Sequence, residues 1–251
     1  MTYLSTVLAD NPVHYWRCAD PGGVLLSDIG SSPLKLTCTV NFELDGYSGI
    51  ASDGGSFAVI NLAIAWAPDT VTLASPFSIE MWCYPLSRRQ GASQQLLTCD
   101  NGVQPLCDLM YLGTGVFRFN CGNNALTSAT AHPIQHWYHV VGTYGNATGP
   151  KLYVNSILEA SGAAQGALAP TSIFSLGLSS GNVGASVLTE CAFYSTELSA
   201  SRVSAHFLAQ EVTGGPVFQL PGSAGSGGGV SLNSAQLAAI LAAVQKTFPA
   251  T

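Results

Sequence analysis

Charge is what this chain has least of. Asp, Glu, Lys and Arg together make up 9% of its 251 residues, against about 25% in an ordinary soluble protein. With only eight Lys and Arg and a formal net charge of −6, there is no basic stripe to neutralise phosphates, which excludes nucleic acid as a partner. A polar surface left to Ser, Thr, Asn and Gln gains little solubility from charge repulsion and suits a protein packed against neighbours. No apolar run approaches the roughly 20 residues that cross a bilayer, so no membrane span is expected. The opening MTYLSTVLADNPVHYWR lacks a basic stretch followed by an apolar core, and no secretory signal is read there. The seven cysteines (Cys18, Cys38, Cys83, Cys99, Cys107, Cys121 and Cys191) are an odd, scattered set without a C-x-x-C pair. They read as reduced core thiols of a protein folded in the cytoplasm rather than as a disulfide framework.

What is present is strand chemistry. In 77–85 (FSIEMWCYP), Ile79, Met81 and Cys83 alternate with Ser78, Glu80, Trp82 and Tyr84, the period of a strand. Leu96–Cys99 and Leu106–Leu112 flank the turn Asp100-Asn101-Gly102, and Gly115–Cys121 follows with Val116, Arg118 and Asn120 on one face. Trp137–Tyr144 and Lys151–Val154 form a hairpin, with further strands at Ile157–Ala160, Ser172–Leu178 and Val187–Tyr194. Regular spacing and Gly/Asn turns predict an all-β sandwich. A short helix after the last strand is capped by Ser199 and turns Val203, Phe207 and Leu208 toward the sandwich.

Composition divides the chain into a sandwich over 1–212, a Gly/Pro/Ser linker over 213–229 and a C-terminal helix over 230–251. In that helix Leu237, Ile240, Leu241, Val244 and Phe248 form one apolar stripe. So short a helix is marginal alone in water, which points to docking on a partner or to homo-oligomerisation rather than to folding back.

Three segments carry a family resemblance. Phe77–Pro85 is similar to a strand of the type F-T-I-E-x-W-V-x-P, Trp137–Asn146 to W-x-H-V-A-x-T-Y-D-G, and Lys151–Ser156 to K-L-Y-V-N-G. Thr189–Ser199 resembles the closing D-E-V-A-I-Y-x-x-x-L-S. Over residues 1–210 the chain resembles the concanavalin A-like lectin/glucanase (laminin-G-like) family, which implies an antiparallel jelly-roll β-sandwich. The opening YLSTVLADNPVHYWR also resembles the start of such domains in bacteriophage structural proteins. Two aspartates that the family often carries are Gly145 and Thr189 here, which removes support for a calcium ion. Asp100-Asn101-Gly102 and Asp53-Gly54-Gly55 could still offer oxygens to calcium but read as turns, so no cofactor is expected.

No catalytic residue is expected. The three carboxylates, E-x-D-x-x-E, that glucanases of this fold carry are met only by Glu43-Leu44-Asp45-Gly46-Tyr47-Ser48, beside a Gly turn and with Ser in the third place. Gly177-Leu178-Ser179-Ser180-Gly181 satisfies G-x-S-x-G but runs into another strand instead of a helix. His132, His136 and His139 read as surface and loop histidines, the last two on opposite faces of a strand, so no metal site is expected. Asn146-Ala147-Thr148, a formal glycosylation acceptor, reads as a turn. Sugar binding on this fold would use an aromatic face and loop amides, for which Trp66, Asn101, Asn123, Asn124 and Asn146 are the candidates. The expectation is a non-enzymatic structural or accessory module of a large assembly, of the bacteriophage virion surface type (fibre, decoration or tail). The alternative is a lectin-like module recognising a cell-surface glycan, at the cell surface or outside the cell.

Overall fold

Alternating strands that are apolar on both faces need cover on both sides, and that requirement organises the molecule. The computed structural model of the chain describes residues 2–18, 25–33, 36–38, 43–44, 56–60, 65–66, 74–86, 93–100, 105–168, 173–176 and 185–209. Helix α1 (Tyr3–Leu8) is followed by β1 (His14–Trp16), β2 (Leu25–Leu26), β3 (Leu36–Cys38) and β4 (Glu43–Leu44). Next come β5 (Ser56–Ile60), β6 (Ala65–Trp66), β7 (Phe77–Pro85), β8 (Ser93–Asp100) and β9 (Pro105–Leu112). After β10 (Phe117–Cys121) and β11 (Asn124–Thr127), the strands β12 (Tyr138–Gly145), β13 (Gly149–Val154) and β14 (Ile157–Ser161) run as a meander. The described chain closes with β15 (Ile173–Leu176), β16 (Ala185–Tyr194) and helix α2 (Ala200–Leu208).

Two antiparallel sheets result. Sheet A has the order β14-β13-β12-β7-β16-β5-β4, with β1 also paired to β16. Sheet B has the order β11-β10-β9-β8-β15-β6-β3-β2. The expected all-β sandwich is the fold observed. Strand β7 covers the range read from its alternation, and its nine residues are all buried. Phe77, Ile79, Met81 and Cys83 enter the core between the sheets, together with Phe117, Phe119, Val140, Leu152, Leu188 and Phe193. Trp82 and Tyr84 enter a second core beneath the helices, with Tyr3, Val7, Trp137, Tyr153 and Val203. Each fully buried large side chain contributes about 1.5–3 kcal/mol. At Gly142 of β12 a Cβ would stand 2.7 Å from the Phe119 ring, so the glycine lets the two sheets close.

Ser199 caps α2 as expected, its hydroxyl accepting from the Arg202 amide. Val203 is buried and Phe207 stacks on Trp82 at 6.0 Å, but Leu208 is 75% exposed. The buried position of that last turn belongs to His206 instead. Helix α1 had no counterpart in the sequence reading; Thr2 caps it, and Tyr3, Thr6 and Val7 are its buried side. Glu43 and Leu44 pair with β5 as a strand rather than opening a turn, while Asp45–Ser48 lie outside the described residues. Six cysteines (Cys18, Cys83, Cys99, Cys107, Cys121 and Cys191) are free and buried. Burial pushes the Cys121 thiol up to about 12, as expected of inert core thiols.

Candidate functional site

Among the described residues, the largest group of charged side chains lies beneath the helices, on the outer face of sheet A. Glu80 of β7 is fully buried there. Its Oε1 accepts from the Tyr194 hydroxyl at 2.7 Å and the Tyr3 hydroxyl at 3.5 Å. Its Oε2 faces His206 Nδ1 at 2.8 Å and His139 Nε2 at 3.3 Å. The other His206 nitrogen, Nε2, lies 2.6 Å from Asp10 Oδ2. An imidazole held between two carboxylates donates from both nitrogens, so His206 is an imidazolium. Burial alone would raise the Glu80 carboxyl, but the His206 charge and the two histidine hydrogen bonds outweigh it and hold Glu80 well below the carboxylate range. Burial opposes the His206 charge, and Glu80 with Asp10 overcomes it, so the imidazole titrates above its ordinary value. Arg202 completes the clamp from α2 to Asp10 at 2.8 Å. Nearby, Glu190 stands at the bulge of β16 with φ 53° and takes the Tyr15 hydroxyl and the Arg17 guanidinium. This is a latch that fastens both helices to sheet A. Glu80, His139 and His206 are fully buried in it.

His139 is therefore not a surface histidine. Its ring is packed by Trp82 at 5.1 Å and Phe207 at 6.3 Å. His136 is exposed ahead of β12, and His132 pairs with Glu159 at 3.4 Å. The three histidines do not meet. Among the described residues no group of three or more His, Cys, Asp or Glu side chains is placed to hold a metal ion. Thr189, at one of the two departures from the family pattern, donates to the Arg17 carbonyl at 2.9 Å. At the other, a Cβ on Gly145 would run into Glu197 and Thr148.

The outer face of sheet B has a different character. In β8, β9, β10 and β15 the residues Leu97, Cys99, Cys107, Leu109, Phe119, Cys121 and Leu176 point into the core between the sheets, so the residues alternating with them point away. Register then aligns one cross-strand row. Ser175 lies opposite Thr98, Thr98 opposite Asp108, and Asp108 opposite Asn120. Trp66 stands in the same row, opposite Ser175 on one side and Thr37 on the other. Ser175, Thr98 and Asp108 are no more than 3% exposed, and Asn120 is half-buried. The Ser175 and Thr98 hydroxyl oxygens have no hydrogen-bond partner. Asn120 donates its amide to Asp108 Oδ1 at 2.7 Å. Burial pushes the Asp108 carboxyl up to about 6, against the pull of the Asn120 amide and the Arg118 charge. Two buried hydroxyls without partners are costly, and both described helices lie on the far side of the sandwich.

The candidate amides gather at one end of this face. Cys99, Cys107, Cys121 and Asn124 lie side by side across β8–β11, which puts the β10–β11 turn at the end of the sheet where β8 closes and β9 opens. Asn124 donates to the Ala163 carbonyl at 3.0 Å, and Gln165 Oε1 accepts the Asn123 amide N–H at 2.9 Å. Gly149, with φ 75°, closes on the backbone of 162–164, bringing the β12–β13 turn and its exposed Asn146 to the same end. Asn124 is a strut across the sandwich end, whereas Asn123 and Asn146 present free side chains. Asn101, the calcium candidates Asp53–Gly55, the G-x-S-x-G run 177–181 and the stripe Leu237, Ile240, Leu241, Val244 and Phe248 lie outside the described residues. The row itself escaped the sequence reading. Its only local signal is a carboxylate, Asp108, inside the apolar run LCDLMYL.

Comparison with solved structures places this architecture. The botulinum neurotoxin serotype G binding domain superposes with a TM-score of 0.61 at 13% identity, covering 79% of this chain and 51% of that one. The serotype D ligand binding domain, in complex with N-acetylneuraminic acid, gives 0.61 at 13%, covering 82% and 52%. Trypanosoma rangeli sialidase in complex with sialic acid gives 0.61 at 18%, covering 79% and 33%. The chain thus spans about half the length of the toxin domains and a third of the sialidase. No curated protein matches the sequence. The Laminin_G_3 family, described as the concanavalin A-like lectin/glucanases superfamily, matches residues 61–204. That is more than half of the chain, and with the two-sheet sandwich around it the protein belongs to this superfamily.

Proposed function

We propose that this chain is a carbohydrate-binding module whose sugar site is the polar row on the outer face of sheet B and the amide-rich end beside it. The carrying observation is the half-buried Asn120 amide, bonded to Asp108 and set over a floor that holds two buried hydroxyls without partners, Thr98 and Ser175. A sugar offers hydroxyls that donate and accept, which the Asn120 amide can meet. Trp66 stands in the same cross-strand row, opposite Ser175. Solved proteins of this fold bind sialic acid, which supports the reading. The half-buried Asn120 is the reachable member of the row, with the buried residues as its floor.

The module binds without hydrolysis. Glycoside cleavage in most families needs two carboxyl groups flanking the bond, and Asp108 is the one carboxylate of the described row. Turnover of a β-glucan or a sialoside would overturn this. A glycan array probed with the full chain and with Trp66→Ala tests the binding itself. Signal on a defined set of glycans, lost in the variant, is the expected result; an empty array overturns the reading.

A second role is compatible with the first. Charge of only 9% and the apolar stripe Leu237, Ile240, Leu241, Val244 and Phe248 favour a structural component of a large assembly, such as a bacteriophage fibre, decoration or tail protein. Residues 230–251 would then dock or oligomerise the sandwich. Light scattering on the full chain and on a chain ending at Val212 tests it: an oligomer that becomes a monomer supports docking, and two monomers argue against homo-oligomerisation.

A further inference from the structure

Cations are scarce in this protein, and among the described residues almost all are committed. Arg17 pairs with Glu190 at 3.2 Å, Lys151 with Glu197, and Arg202 with Asp10 at 2.8 Å. Arg118 alone among the described Lys and Arg has no ion pair, and its Nε is shielded from water without a hydrogen-bond partner. That nitrogen loses its hydration without compensation.

Its position gives the vacancy meaning. Arg118 is two residues before Asn120 on β10, between the core residues Phe117 and Phe119, so it shares the outer face with the row. Across the strand pair it stands opposite Met110, whose sulfur lies 3.6 Å from the Asn120 amide. Asp108 does not satisfy it. That carboxylate bonds the Asn120 amide and makes no ion pair with Arg118, whose charge only tempers the rise that burial imposes on it. The face therefore presents a planar, unpaired cation beside a half-buried amide, over a floor of buried Asp108, Thr98 and Ser175.

Resting on the carbohydrate-binding reading, we infer that Arg118 makes this face selective for sugars bearing a carboxylate, which its guanidinium takes while Asn120 takes a ring hydroxyl. The fork geometry of guanidinium and carboxylate allows two parallel hydrogen bonds. Asp108, one strand away, opposes the ligand's charge and tempers its affinity.

The test uses the full chain and three soluble probes: lactose, lactose capped with N-acetylneuraminic acid, and a glucuronate-capped disaccharide, measured by calorimetry. The acid-capped probes bind more tightly than lactose by roughly tenfold or more, the worth of a charge-assisted hydrogen bond. Arg118→Gln abolishes that difference and leaves lactose affinity in place, Arg118→Lys restores part of it, and Asp108→Asn strengthens acid-capped binding. An unchanged melting temperature in Arg118→Gln separates the loss from misfolding. If lactose and the capped probes bind equally, or Arg118→Gln keeps the preference, the selectivity inference fails while the carbohydrate reading stands. If the wild-type chain binds none of the three and the glycan array is also empty, both fail.

Discussion

The two outer faces of this sandwich treat buried polar groups in opposite ways. On sheet A, Glu80 has four partners and His206 is bonded at both nitrogens. Trp82 Nε1 and His139 Nδ1 there lack partners but belong to rings packed against Phe207, and one buried hydroxyl, Thr143 Oγ1, is also unpartnered. On sheet B, Thr98, Ser175 and Arg118 carry unpaired atoms on a face that neither described helix covers. A satisfied network fixes one structure, and a half-satisfied one is retained only where something else completes it. The first face is the fold's fastening. The second is where a ligand would repay the cost.

The largest effect expected from breaking this contrast is at Glu80. Glu80→Ala leaves an imidazolium and two tyrosine hydroxyls buried without their acceptor, and removing one partner of a buried ion pair costs about 3–5 kcal/mol. Urea denaturation should show the unfolding free energy fall by that margin, with glycan affinity of the surviving folded fraction unchanged. A loss below about 1 kcal/mol, the worth of an exposed pair, would mean that the latch carries no weight.

The same latch fixes a pH window. Glu80 is depressed below its ordinary 4.5, so its contribution is whole above that pH and is lost as pH falls through the lower folded value. His206 is raised above its ordinary 6.5, so its contribution is whole below that pH and is lost as pH rises through the higher folded value. The melting temperature should thus be flat between pH 4.5 and 6.5 as far as these two groups decide it, and decline on either side. In His206→Gln the alkaline decline should disappear; a decline of equal size in the variant would remove His206 as its cause.

How much of this was legible in the sequence follows from the range of each interaction. Strand β7 could be read to the residue because its alternation is local, and the Ser199 cap because its acceptor and donor are three residues apart. Glu80 was visible only as one polar position in that alternation. Its partners come from residues 59 to 126 positions away, and no local period announces them. Helix α1, six residues long, is too short for helical spacing to show. The candidate amides were legible as turn formers, and the structure brings Asn123, Asn124 and Asn146 to one end. The row Ser175–Thr98–Asp108–Asn120 required the register of four strands, which the sequence does not fix where core residues on both sides permit a slip.

Asn124 sharpens the distinction between strut and site. Its amide ties the β10–β11 turn to the Ala163 carbonyl, so Asn124→Ala should cost about 1 kcal/mol in stability, the net worth of one such bond. Asn123→Ala should cost nothing measurable in folding, because its contact uses the backbone N–H. If Asn123→Ala weakens glycan binding and Asn124→Ala only stability, the end divides as the geometry has it.

The smallest expected effect has the most telling sign. Thr98→Val replaces a buried, unpartnered hydroxyl by a methyl group of nearly the same shape, and Ser175→Ala deletes the neighbouring one. Relieving an unsatisfied buried polar group should raise stability by about 0.5–1 kcal/mol in each case. Both variants should at the same time lose affinity for sugar, since they reshape the floor beneath Asn120. Stabilisation with unchanged binding would make the row an unfilled flaw in the packing, and destabilisation would mean the hydroxyls already have partners. Only gain and loss together fit a face held ready for a ligand, because a group selected for stability alone would not cost the empty protein free energy.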